Sequence, residues 1–323
     1  MYTRLKSPSQ YIQGPGVSRG LGNHLSGMGS RILILMSEGG FRRFWPAIET
    51  SCAGTSAGLL PVLFGGECSW TELQRVVSCG KEGNASRTFG IGGGKVLDTA
   101  KGAAFLARLP VGIMPTSAAT DSPCSSLSVV YHEDGTFDRY LFLDRCPDTV
   151  LVDTQWICKA PPALLAAGMG DAMATWFEAR ACRASGKKNQ AGGLPTKAAS
   201  ALAHLCWDIL QRDGKTRSWT PGRDAVRPLL NILWRQIHTF PARGLKAGGW
   251  RQPMRSRRGL PIFRNFTRLI TAIKLRFARL SNWPWSRPEG QKSAACWIFA
   301  GKWGFRYVSG ISGGRIPRRF YCI

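Results

Sequence analysis

The run GIGGGK, Gly90 to Lys95, stands between a short apolar stretch of strand character and a segment of good helix composition. Such a turn lets backbone N–H groups and the positive end of a helix approach a pyrophosphate, and Lys95 adds a point charge. It is not a Walker A loop, because Val96 stands where Ser or Thr would hold magnesium, and Lys95 replaces the third glycine of the usual dinucleotide fingerprint. A plain tight turn accounts for the same residues. Pro115 to Tyr131, PTSAATDSPCSSLSVVY, gathers small hydroxyl side chains suited to ribose and phosphate contacts, and Asp121 among them could orient a polyol hydroxyl. A serine-rich loop with a local Asx turn is the plainer reading of that segment alone. Asp171 follows Gly170 at what reads as a helix start, where the default task of an aspartate is to cap. A metal ligand needs partners, and His24, His132, His204 and His238 show no ligand spacing. His204, within ALAHLCW, reads as a packed helix residue.

These groups need a scaffold, and up to about residue 150 the chain supplies alternating strand and helix patterns. Arg31 to Met36, Pro61 to Phe64, Thr88 to Ile91, Val111 to Pro115 and Val150 to Asp153 read as buried strands. Trp45 to Cys52, Trp70 to Val77 and Lys95 to Leu109 read as helices between them, the order that builds a parallel α/β sheet. From Pro161 the texture becomes Ala- and Leu-rich helix, PALLAAGMGDAMATWFEARAC and then TKAASALAHLCWDILQRD. The organisation expected is an α/β domain over residues 1–160, the start of a helical domain over 161–213, and a separate tail over 214–323.

That tail is anomalous in charge. The 323 residues carry a net charge of +25, yet the chain to Asp213 has 21 Lys and Arg against 17 Asp and Glu, and the remainder has 23 against 2. Eight prolines interrupt the tail from Pro221 to Pro317, and seven of the twelve tryptophans fall in it without heptads or alternation. Arginines mixed with aromatics could bind single-stranded nucleic acid, the least favoured of three readings because no binding module is recognisable. The ten cysteines contain no CxxC pair, which points to a reduced, cytoplasmic protein. The longest apolar run near the N-terminus, Ile32 to Met36, is strand-sized, so no membrane segment is expected.

Read together, SPSQYIQGPG, FGGECS, GIGGGKVLDTAK, PTSAATDSPCSSLSVVY and AAGMGDAMATWFEARAC resemble, in order and spacing, the NAD-dependent glycerol dehydrogenases of the iron-containing alcohol dehydrogenase superfamily, over roughly residues 7 to 213. The resemblance implies an N-terminal Rossmann-like α/β domain followed by an all-α domain, the dehydroquinate synthase-like arrangement, with NAD in the cleft between them and a zinc ion. In such enzymes the metal binds the polyol oxygens and lowers the alcohol's pKa. Carried over by position, Gly93, Gly94 and Lys95 would meet the pyrophosphate, and Thr116, Ala119, Ser125, Leu127 and Tyr131 would line the dinucleotide. Asp121 would touch glycerol and Asp171 would be the metal ligand. Ser37 stands where relatives often carry an acid for the ribose hydroxyls, with Glu38 beside it. Relatives form homo-oligomers.

The family supplies two further histidine ligands from its helical domain, and the tail shows neither. The genetic code offers a reason. Taking the last base of each codon with the first two of the next, Thr239 to Arg255 permits YLSGAGFESGGLAAAHA, which resembles a helical-domain segment of the family, with its histidine across Pro253 and Met254. Two of its alanines are forced where an Arg codon begins with CG, because the Trp250 and Met254 codons end in G. The same shift under Phe266 to Leu280 permits a segment containing HGDKVAF, with a histidine across Ile270 and Thr271. The expectation is a one-base insertion or deletion near Gly214, a disrupted helical domain, and a chain with little or no dehydrogenase activity as written. An inactive remnant that still binds NAD weakly through residues 1–150 is the alternative.

Overall fold

The computed structural model describes residues 2–26 and 30–213. The expected tail, the shifted-frame histidines and His238 lie outside the described residues.

Six strands, β1 (Gln10–Gly14), β2 (Arg31–Met36), β3 (Gly58–Leu63), β4 (Arg87–Gly92), β5 (Val111–Pro115) and β8 (Thr149–Asp153), form one sheet in the order β1-β8-β5-β4-β2-β3. Every neighbouring pair is parallel. Strands covered on both faces need near-continuous apolar runs, and RILILM, VGIMP and TVLVD supply them. Pro61 falls in edge strand β3, where a missing N–H is tolerated.

The pleat splits the apolar residues of β2 into two layers. Leu33 and Leu35 meet α3 (Trp70–Glu82) and α4 (Gly94–Ala107) through Leu73, Val76, Leu97 and Ala100. Ile32, Ile34 and Met36 meet α1 (Leu21–Ser26) and α2 (Glu38–Cys52) through Leu21, Leu25, Phe44 and Ile48. Ser37 and Ser69 start α2 and α3 by accepting from Gly40 N and Glu72 N.

The segment after Ser126, expected to be loop, instead forms an antiparallel hairpin, β6 (Leu127–Tyr131) with β7 (Phe137–Phe142). It lies against α4 and adds Val130 to the α4 core, so Val96 to Ala104 are buried on all sides of the helix. That enclosure determines how the charges on α4 must be treated.

After the short α5 (Thr154–Ile157), two helices follow: α6 (Pro162–Ser185) and α7 (Lys197–Asp213). They pack through Ala172, Cys206, Ile209 and Leu210, and through Ala179, Ala199 and Ala203. His204 does not enter this packing. Its side chain sits at the rim, 53% exposed, pairs with Asp208 at 3.1 Å and stands edge-on to Trp176 of α6. Among the described residues, no helix is long and apolar enough to cross a membrane.

Candidate active site

Strand order reverses beside β2: the chain passes from β2 to β3 at one edge, then returns to β4 on the other side. Crevices at the carboxyl ends of strands at such a switch point are where α/β sheets bind ligands. The segments that emerge there are Ser37 after β2, Gly93 to Lys95 after β4 and Thr116 to Ser125 after β5.

The glycines of GIGGGK divide two tasks. A Cβ on Gly90 would sit 2.6 Å from the Ala100 Cβ, and one on Gly92 would sit 2.8 Å from the Val96 Cβ, so these two let α4 lie close on β4. At Gly93 an added Cβ meets nothing within 4 Å. None of the three has positive φ, so conformational freedom in a tight turn is not why they are glycines. Gly93 precedes α4 without any side-chain cap on the first-turn N–H groups. A Cβ on Gly94 would lie 3.3 Å from Thr120 Cγ2, placing the β5 loop beside this helix start. Lys95 is half exposed, pairs with Glu67 and stands 5.7 Å from the Tyr131 ring centroid. Burial pushes the Tyr131 hydroxyl above its ordinary pKa, with Asp98 and Glu67 adding to it.

In the β5 loop, Thr116 N donates to Gly92 O at 3.0 Å. Asp121 precedes the 3-10 turn Ser122–Cys124, but its side chain does not cap that turn, so the Asx reading fails here. Ser125 and Leu127 are buried; the Ser125 hydroxyl and the Leu127 carbonyl both face Lys101 Nζ, at 2.9 and 2.6 Å. Any contact they make with a ligand is therefore through other atoms.

Asp171 is not an N-cap. Helix α6 begins at Pro162, and Asp171 lies in its interior, 7% exposed. Gly168, one turn earlier, comes so close to the β5 loop that an added Cβ would lie 1.7 Å from Ala118 O. Helix α6 is thus seated on the segment that carries Ala119 and Asp121. A third fixture is Asp153 at the end of β8. It accepts from Gly16 N and Gln155 N at 2.9 Å, from Ser18 N at 3.1 Å and from the Ser18 hydroxyl, which holds the QGPG turn with Gly16 at φ +74.

Residues 8–154 match the iron-containing alcohol dehydrogenase family. A glycerol dehydrogenase of Escherichia coli O6:H1 is 42% identical over 247 residues, which cover 76% of this chain and 67% of that protein. The chain belongs to the iron-containing alcohol dehydrogenase family. A glycerol dehydrogenase of Thermotoga maritima is 36% identical over 289 residues, 87% of this chain and 77% of its own length. The crystal structure of a probable glycerol dehydrogenase from Sinorhizobium meliloti superposes with a TM-score of 0.70 at 33% identity, covering 77% of this chain and 68% of that one.

Within that family frame, Gly93, Gly94, Lys95, Thr116, Ala119 and Asp121 all fall on the switch-point side of the sheet. Glu38, the suggested substitute for a ribose-binding acid, pairs with Arg42 along the exposed face of α2, while the Ser37 hydroxyl caps that helix. For a metal ion the fit is incomplete: among the described residues no group of three His, Cys, Asp or Glu side chains is assembled, and Asp171 alone is less than a catalytic cation needs. The sequence reading passed over Asp98 and Lys101. Their signal was two charges at i, i+3 within the Val96 to Ala104 run that is buried on all sides, and they must be satisfied internally once the helix is covered.

Proposed function

We propose that this chain descends from NAD-dependent glycerol dehydrogenases and retains their dinucleotide site, the substrate being glycerol and the product dihydroxyacetone. The observation that supports this reading best is the uncapped start of α4 at the switch point, where Gly93 leaves room for a pyrophosphate against backbone N–H groups. Lys95 adds charge, and Thr116, Ala119 and the Ser125 to Tyr131 segment form the flanking wall. Bound there, the dinucleotide supplies the hydride acceptor. Asp121 orients a polyol hydroxyl, and Asp171 contributes a carboxylate from α6 on the far side of the same loop. Asp171 would hold the family metal, zinc in this reading, which when bound would lower the pKa of the polyol hydroxyl.

The reading extends to the tail: both histidine partners of Asp171 are encoded in the shifted phase after Gly214, and the chain as written oxidises glycerol poorly or not at all. The residues to 160 form the cofactor domain and those from 161 begin the helical one. The test is to sequence the DNA around codon 214, restore one base and assay glycerol oxidation with NAD and added zinc. Oxidation by the repaired chain and not by the original supports the reading. A repaired chain that leaves glycerol untouched refutes the substrate, and codons 253–254 and 270–271 that do not spell histidine in the shifted phase refute the frame.

A further inference from the structure

Helix α4 carries a fully covered ammonium. Lys101 is 1% exposed, and its Nζ lies 2.6 Å from Leu127 O, 2.7 Å from Ser122 O, 2.9 Å from Ser125 Oγ, 3.4 Å from Ser125 O and 2.9 Å from Asp98 Oδ1. Asp98, 7% exposed, accepts at Oδ1 from the Ser122 hydroxyl at 2.5 Å and at Oδ2 from Val129 N at 3.1 Å. The Ser128 hydroxyl donates to Asp98 O at 2.8 Å. A buried lysine that shares three protons among four neutral oxygens and one carboxylate is fully paired, so desolvation is compensated only while every partner stays in place.

All the partners outside α4 lie between Ser122 and Val129. This stretch holds only one 3-10 turn before β6 begins, and the positions expected to line the dinucleotide, Ser125 and Leu127, are the ones Lys101 grips. The first turn of the same helix offers Gly93 to Lys95 to the pyrophosphate. One rigid rod therefore sets both the phosphate cradle and the wall next to it.

We propose that Lys101, paired with Asp98, is a positioning residue for the cofactor: it locks the Ser122 to Leu127 wall in register with the start of α4. The inference rests on the dinucleotide reading above. Lys101 itself touches no ligand; it acts through the carbonyls it holds. Losing it leaves Asp98 and three carbonyls without their cation and lets the wall shift, while the start of α4 is unchanged.

The experiment uses the full chain and three variants: Lys101→Met, the milder Ser122→Ala, which removes the hydroxyl bond to Asp98, and Val76→Ala, a core change on α3 that touches none of the Lys101 and Asp98 hydrogen bonds. Dissociation constants for NADH and for inorganic pyrophosphate are measured at 10 °C, with circular dichroism confirming that each variant is folded. Amide hydrogen exchange is followed by mass spectrometry. Lys101→Met is expected to weaken NADH at least tenfold and Ser122→Ala about threefold to fivefold, with pyrophosphate affinity held within twofold. Exchange rises at least tenfold in residues 122–129 and stays within twofold in β2. Val76→Ala lowers the melting temperature and leaves NADH affinity within twofold, which a merely structural role for Lys101 would not distinguish. The proposal is overturned if Lys101→Met binds NADH like the parent, or if exchange in 122–129 is unchanged; should that variant not fold, Ser122→Ala decides by the same two measures. A parent chain that binds no NADH refutes the dinucleotide reading, and exchange in 122–129 then decides the lock alone.

Discussion

Substituting alanine at two glycines of the same motif should produce opposite phenotypes. At Gly90 the new methyl would lie 2.6 Å from the Ala100 Cβ, and ordinary contact begins near 3.4 Å, so α4 must retreat from β4 by close to an ångström. Neither atom can rotate away, since both are fixed to backbone. Overpacking of this kind costs about 1–3 kcal/mol, which at roughly 2–4 °C per kcal/mol for a body of this size lowers the melting temperature by about 2–12 °C. At Gly93 the methyl enters open space and the backbone, at φ −83, is one any residue adopts. The change costs about 0.5 kcal/mol as a poorer N-cap, but it obstructs the N–H cradle, and NADH should bind at least tenfold more weakly, about 1.4 kcal/mol. Differential scanning fluorimetry and a fluorescence titration with NADH measure the two quantities on the same samples. The reasoning is refuted if Gly90→Ala melts within about a degree of the parent, or if Gly93→Ala binds NADH as the parent does.

Removing the Asp153 carboxylate as Asp153→Ala leaves the N–H groups of Gly16, Ser18 and Gln155 without their acceptor, and urea unfolding should show a loss of about 2–4 kcal/mol. Lys95→Met should lower NADH affinity and also flatten its dependence on salt, since the half-exposed ammonium is the charge beside the cradle; an unchanged salt dependence argues against phosphate contact. Burial pushes the Cys68 and Cys206 thiols up to about 12 and Cys146 to about 11, and raises Cys124 as well. Iodoacetamide at pH 8 should therefore spare all four in the folded protein and label them on unfolding, read by peptide mass spectrometry. Because unfolded thiols ionise near 9 and these do not until higher pH, stability should be flat below about pH 9 and fall from there towards pH 12, which urea midpoints across that range would reveal.

Strands β2 and β5 were readable to the residue, since a strand buried on both faces must be an uninterrupted apolar run. The hairpin β6–β7 was hidden because the serines ahead of it suggested loop, although Asp134-Gly135, with Gly135 at φ +79, was a turn signal between alternating segments. Strand β1, QYIQG, is too short and polar to be seen apart from its partner β8. Asp171 was misplaced as a cap because it follows Gly170 at an apparent helix start. Gly168 is there to admit Ala118 O, a tertiary demand that local propensity does not contain. For the same reason the charges on α4 were visible while their role was not: a helix covered by a hairpin from later in the chain cannot be distinguished in sequence from one with an open face.

Strand β1 pairs along its whole length with β8, Gln10 opposite Thr149 and Gly14 opposite Asp153. During synthesis the earlier member of that pair must wait for about 140 further residues, on the order of 7–30 s at cellular elongation speeds of 5–20 residues per second. In that interval the β5 edge is exposed where β8 will dock, and β1 has no sheet to join. Until then the strands available to pair are β3-β2-β4-β5, with an open β5 edge that a chaperone or a stray strand could engage before the QGPG turn is fastened.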